Sequence, residues 1–178
     1  MLQITIPASE QYDEVNNRFI YTKEQTITME HSLVSLSKWE SKWHKPFLTK
    51  DTKTREEMLD YYRCMTLTQN IDPSVFYGLT KDNETAINNY MQDKMTATWF
   101  SKTAQKPNRE IITSELIYYW MIALEIPVEF QKWHLNRLLT LIRVCNEKNS
   151  PKKMSKNDLR RRNNSLNAAR RAAMHTKG

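Results

Sequence analysis

The sequence predicts a mainly α-helical α+β fold: one helical domain opened by a small N-terminal antiparallel β-sheet and closed by a basic C-terminal helix. Three observations carry this. Strict apolar alternation is confined to the first thirty residues, helical spacing takes over from His31, and the composition changes sharply near residue 148. The predicted organisation is a globular domain over 1–147, with sheet to residue 30 and helices beyond it. A linker and basic helical tail follow over 148–178.

Leu2, Ile4 and Ile6 alternate with polar residues and stop at Pro7, which reads as a strand. Arg18–Tyr21 and Gln25–Met29 read as two more, with "DEVNN" and "TKEQ" as turns and Asp13 to Asn17 as the hairpin tip. From His31, Leu36, Trp39 and Trp43 share a helical face that ends before Pro46. Thr54 and Glu57 have the form of a capping box, and Met58, Leu59, Tyr62 and Met65 make the stripe of the helix behind it. "DPSVFYGL" reads as a turn with a short segment, 82–94 as a polar helix facing inward with Ile87, Tyr90 and Met91, and "TATWF" as a loop or strand. Residues 110–125 place Ile112, Leu116, Tyr119 and Ala123 on one stripe. Residues 128–147 do the same with Trp133, Leu138, Leu141, Ile142 and Cys145. With Pro127 between them, these two helices are expected to pack as an antiparallel hairpin. A last helix is expected from Ser155 to Ala173, with Leu159 and Leu166 as its large apolar residues.

Composition excludes several classes. The chain has two glycines, Gly78 and Gly178, so neither a phosphate-cradling P-loop nor a dinucleotide fingerprint can be written. No apolar run approaches the roughly 20 residues that span a bilayer, and the N-terminus lacks the pattern of a signal peptide. Cys64 and Cys145 read as buried, reduced thiols, which fits the cytoplasm. His31, His44, His134 and His175 show no metal-ligand spacing, so no metal and no cofactor is expected. Trp39, Trp43 and His44 read as core packing in preference to a ligand pocket. Glu115, Glu125 and Glu129 are read as helix-surface acids rather than an acid–base pair, and no nucleophile motif is present, so no catalytic residues and no enzyme are expected.

Binding is the remaining reading. "ELIYYWMIALEIPVEFQKWH" concentrates aromatics, and the exposed share of Tyr118, Trp120, Phe130 and Trp133 is the expected partner surface. Residues 148–178 carry ten Lys/Arg against one Asp and no aromatic, whereas the body is nearly neutral. Lys152, Lys153, Arg160, Arg161, Arg162, Arg170 and Arg171 suit an acidic protein partner or solvent better than single-strand readout or a membrane surface. Nucleic-acid contact there is expected to be weak and non-specific.

"MEHSLVSLSKWESKWHKPFL", "YYRCMTLTQNIDP" and "REIITSELIYYWMIALEIPVEFQKWHLNRLLTLIRVCNEKNSPKK" together resemble a family of small tailed-bacteriophage proteins, some of them labelled tail assembly chaperones. The resemblance extends over nearly the whole chain. It implies a non-enzymatic morphogenesis protein that coats the tape-measure protein until the tube protein polymerises around it. The partners it implies are the tape-measure and tube proteins, with self-association possible, and the place is the host cytoplasm. The alternative is a connector or minor tail or head protein retained in the virion, whose basic tail touches DNA or an acidic neighbour. Family chaperones are often made in a longer frameshifted form, and Lys152–Lys153 is where a run of A nucleotides would fall.

The tail is expected to be dispensable for folding. Burying Leu159 and Leu166 would yield about 3–6 kcal/mol, whereas ordering some twenty residues costs about 1–2 kcal/mol each, and a lone helix of that length is marginal. A truncation ending at Ser150 should melt within a few degrees of the full chain. Duplex DNA binding should be weaker than about micromolar at physiological salt and indifferent to sequence, measured by salt-dependent titration.

Overall fold

A computed structural model describes residues 1–13, 17–100, 110–149 and 156–174. Four strands come first: β1 (Leu2–Ile6), β2 (Ser9–Asp13), β3 (Arg18–Thr22) and β4 (Gln25–Met29). Then follow α1 (Leu33–Trp43), α2 (Arg55–Met65), a 3-10 turn at Pro73–Gly78, and α3 (Lys81–Gln92). α4 (Ser114–Ala123), a second 3-10 turn at Val128–Lys132, α5 (Leu135–Asn149) and α6 (Lys156–Ala173) complete the chain. The fold is mainly α with an N-terminal antiparallel sheet. It divides into compact units Met1–Cys145 and Asn146–Gly178.

β1 pairs with β4 and β2 with β3, and the pairs Leu2↔Met29, Ile6↔Gln25, Ser9↔Thr22 and Asp13↔Arg18 continue a single register. The four strands are therefore one long hairpin, interrupted at Pro7–Ala8 and Lys23–Glu24; Pro7 has no N–H to give the ladder. Its inner half buries Ile4, Ile6, Ile27 and Met29. Its outer half instead displays Tyr12, Phe19 and Tyr21, with the Tyr12 and Phe19 rings 5.0 Å apart. β2 escapes the sequence reading because "SEQYD" has no apolar alternation to announce it. Of the expected tip, residues 14–16 lie outside the described residues; Asn17 follows with φ 48°, a conformation asparagine tolerates.

Side-chain caps start the helices. Ser32 and Ser35 form a capping box at α1, Thr54 and Glu57 the expected one at α2, and Thr80 and Asn83 a third at α3. α1 and α2 then lock through polar tips on apolar bodies. The fully buried Trp39 donates Nε1–H to the Glu57 carbonyl at 2.8 Å, and Trp43 donates to Asp60 Oδ2 at 2.8 Å. Phe47 stacks on Tyr61 at 3.8 Å beneath them. Trp39 thus belongs to the core, and His44 ends α1 in the left-handed region at φ 53°. Gly78 sits where the hairpin crosses the first 3-10 turn: a Cβ there would lie 2.8 Å from Ser9 Oγ.

Several expectations are corrected. α4 begins at Ser114 and buries Ile117 and Met121, while Tyr119 and Ala123, expected inside, are exposed. The segment is apolar on every side, so periodicity had no polar face to exclude. The facing is decided by Glu40 of α1, whose buried carboxylate accepts from Ser114 N at 2.7 Å and from Phe47 N at 2.8 Å. α5 begins at Leu135, because Leu135 N–H goes to the His31 carbonyl at 2.7 Å and Ser32 bridges His134, which holds Trp133 extended and outside the helix. α4 packs against α1. Of the two readings open for "TATWF", the loop is the one found, through Phe100. Cys64 and Cys145 are free thiols, each only partly buried.

Replacing Glu40 with Gln leaves one acceptor oxygen for two buried backbone donors and turns an amide N–H toward one of them. The variant should lose about 2–4 kcal/mol of unfolding free energy in urea titration, the cost of an unsatisfied buried group beside a lost charge-assisted bond.

Candidate functional site

A cleft of about 580 Å³, a size typical of ligand sites, opens beside α1. One wall comes from α1 (Val34, Ser35, Lys38), another from the end of α2 and the residues after it (Cys64 to Leu67), and the third from Lys132–His134 with Arg137. Glu30 and Tyr90 also line it. The hairpin places Glu30, because β4 runs directly into α1 and Glu30 N–H bonds to the Met65 carbonyl at 2.9 Å.

A buried polar network underlies the cleft. The Tyr61 hydroxyl and His31 Nδ1 share a hydrogen bond of 2.7 Å, and the His31 and His134 rings meet edge to face with centroids 5.2 Å apart. His134 Nε2 lies 2.9 Å from the Tyr90 carbonyl. A carbonyl can only accept, so Nε2 carries a hydrogen, and in the tautomer that carries no second one Nδ1 presents a lone pair. That Nδ1 is buried and has no partner among the described residues. The Tyr90 hydroxyl donates to Glu30 Oε1 at 2.7 Å, and the Met1 ammonium sits 3.1 Å from Glu30 Oε2. Asn136 caps the end of α3 by donating to the carbonyls of Met91 (2.9 Å) and Asp93 (2.7 Å), which holds Tyr90 against α5.

These surroundings favour neutral forms. Burial, and then the neighbouring His134, push His31 down to about 3. Burial first, and the bond to Glu30 next, raise the Tyr90 phenol; burial likewise raises Tyr61 and the Cys64 thiol. A thiol held protonated is a poor nucleophile. What the arrangement offers is an apolar recess with fixed polar points.

The aromatic residues expected to contact a partner are partly brought together. Phe130 and Trp133 stack at 4.1 Å, with the Arg137 guanidinium 4.0 Å above the Trp133 ring. The Tyr118 hydroxyl donates to Gln131 Oε1 at 2.8 Å, tying α4 to the second 3-10 turn. All four are partly buried, and Trp133 alone among them lines the cleft. More open to solvent are Tyr119 (63% exposed), Ile122 (77%) and Val128 (57%). In the second unit, Arg160, Arg161, Arg162, Arg170 and Arg171 are exposed along α6, whereas Lys152 and Lys153 lie outside the described residues. Sequence reasoning missed Glu30, His31, Tyr61, Tyr90 and His134 as a group. They are dispersed over a hundred positions without a shared spacing, and only the fold assembles them.

Compared with family models, curated proteins and solved structures, the chain matches none. Among the described residues, no cluster of three or more His, Cys, Asp or Glu is arranged to hold a metal, and no helix is long and apolar enough to cross a membrane.

Acid should expose the cost of the buried histidine. Unfolded His31 takes a proton near pH 6.5, whereas the folded ring resists until about 3. Its contribution is therefore complete above pH 6.5 and is lost as pH falls toward 3, by up to about 1.4 kcal/mol per unit. His31→Asn, which still offers Tyr61 a polar partner, should lie below the parent in stability at pH 7. The gap should narrow between pH 6.5 and 4.5 in urea titrations run at each pH.

Proposed function

We propose that the protein is a non-enzymatic binding protein for an apolar helical client, acting in the role the sequence resemblance implies: a bacteriophage tail assembly chaperone that engages the tape-measure protein in the host cytoplasm. The supporting observation is α4. Its sequence, "SELIYYWMIA", is apolar around the whole helix, yet only Ser114, Ile117 and Met121 are buried. A helix apolar on all sides is ordinarily enclosed, and contiguous exposed apolar surface marks an interaction site. Tyr119, Ile122 and Val128 supply that surface, with the Phe130–Trp133 stack as a rigid aromatic edge. Nine methionines add side chains that adapt to varied contacts.

The arginines of α6 favour a second reading, in which the protein stays in the particle and its tail meets DNA or an acidic neighbour. They are exposed in two clusters on one helix, Arg160–Arg162 and Arg170–Arg171. Mass spectrometry of purified particles separates the two, since a chaperone leaves and a component remains.

For the chaperone reading, purified protein should capture the tape-measure protein. Tyr119→Glu with Ile122→Glu should weaken capture at least tenfold while shifting the melting temperature by no more than a few degrees, because both side chains are largely solvated. Capture unchanged by the double substitution would place the client elsewhere.

A further inference from the structure

The cleft between α1 and the Lys132–Arg137 segment has a chemistry of its own, independent of the α4 surface. Its recess is walled mainly by apolar atoms and has a volume of about 580 Å³. Three cations stand on it, Lys38, Lys132 and Arg137, all exposed, and none is in an ion pair among the described residues. Arg137 is held flat by the Trp133 ring at 4.0 Å, which fixes a planar donor set at the wall. Glu30, the one carboxylate of the lining, is already committed to the Tyr90 hydroxyl and the Met1 ammonium. The cleft therefore presents uncompensated positive charge over an apolar floor. Its wall also contains an acceptor without a donor: His134 is 5% exposed, and its Nδ1 lone pair has no partner among the described residues. A buried acceptor favours a donor, so a ligand N–H or O–H that reaches this nitrogen adds a hydrogen bond at the wall.

We propose that this cleft binds a small amphipathic organic acid: an apolar aromatic body carrying one N–H or O–H donor that reaches His134 Nδ1, and a carboxylate that meets Lys38, Lys132 and Arg137. A carboxylate matches the Arg137 fork, and the apolar body displaces water from the recess. The charge rule selects acids over amines, and the His134 lone pair selects donor-bearing bodies over hydrocarbon ones of equal shape.

Three probes of similar size test the two rules on the full chain, by calorimetry and by nitrogen-15 correlation spectra that resolve the Trp133 indole and the His134 ring. Indole-3-acetate, with both features, should bind with a submillimolar Kd and shift both signals. Naphthalene-1-acetate, which keeps the carboxylate and lacks the N–H, should bind at least tenfold more weakly. Tryptamine, which keeps the indole and reverses the charge, should show no saturable binding. Lys38→Gln with Arg137→Gln, both exposed positions, should lower indole-3-acetate affinity at least tenfold with an unchanged far-ultraviolet spectrum. Equal affinity for the two acids would overturn the role of His134. Binding of tryptamine as tight as that of the acid, or an unaffected double variant, would overturn the cationic rim. No binding of indole-3-acetate up to about 1 mM would overturn the site itself.

Discussion

The three residues Glu30, His31 and Ser32 are the crossing on which the N-terminal unit depends. Their polar groups reach α1, α2, α3 and α5. Glu30 N–H pairs with the carbonyl of Met65 at the end of α2, and Ser35 Oγ of α1 donates to the Glu30 carbonyl at 3.1 Å. The His31 carbonyl accepts from Leu135, and Ser32 caps α1 while bridging His134. Buried backbone groups must be paired. Three consecutive buried residues therefore determine where α1 starts, where α2 stops and where α5 begins. The side chains repeat the logic, with Glu30 reaching α3 through Tyr90 and His31 reaching α2 through Tyr61.

The cleft is a by-product of that crossing. Polar pairing holds the ends of α2, α3 and α5 at fixed distances from α1, and the side chains between them do not fill the enclosed space. The His134 lone pair is the place where pairing is incomplete, since its other nitrogen is committed to the Tyr90 carbonyl. Burial also makes the unit sensitive to acid, because His31 is enclosed against the buried Tyr61 phenol where added charge is costly.

Scarce glycine shapes the rest of the backbone. Left-handed positions that glycine would fill at no steric cost are occupied by Asn17, His44, Asn70, Met95 and Glu125. His44 follows α1 and Glu125 follows α4, so two helices end on non-glycine left-handed residues, closed by the local bonds of His44 N–H to the Glu40 carbonyl and Ile126 N–H to the Met121 carbonyl. At the start of α4 the Glu40 carboxylate accepts from the Ser114 N–H, which orients an otherwise facing-indifferent helix and leaves Tyr119 and Ile122 in solvent.

How far the sequence reaches can be argued from particular residues. Alternation at Leu2, Ile4 and Ile6, the Thr54–Glu57 box, and the Leu36–Trp39–Trp43 face are local signals, written within one turn or one strand. Each determines an element before any partner is present. The basic helix at the C-terminus is equally legible, since charge density is a property of composition. β2 was illegible because its pairing partner, rather than its own pattern, makes it a strand. The facing of α4 and the start of α5 were illegible for the same reason: a uniformly apolar segment accepts any orientation, and a long-range carboxylate or a single backbone bond selects one. The candidate site lies wholly on that side of the divide. His31 and His134 are a hundred residues apart, and neither has a local partner that marks it. Sequence alone determined which elements exist and what charge they carry. Tertiary structure decided which faces meet, because pairing of buried polar groups acts between elements and leaves no periodic trace within them.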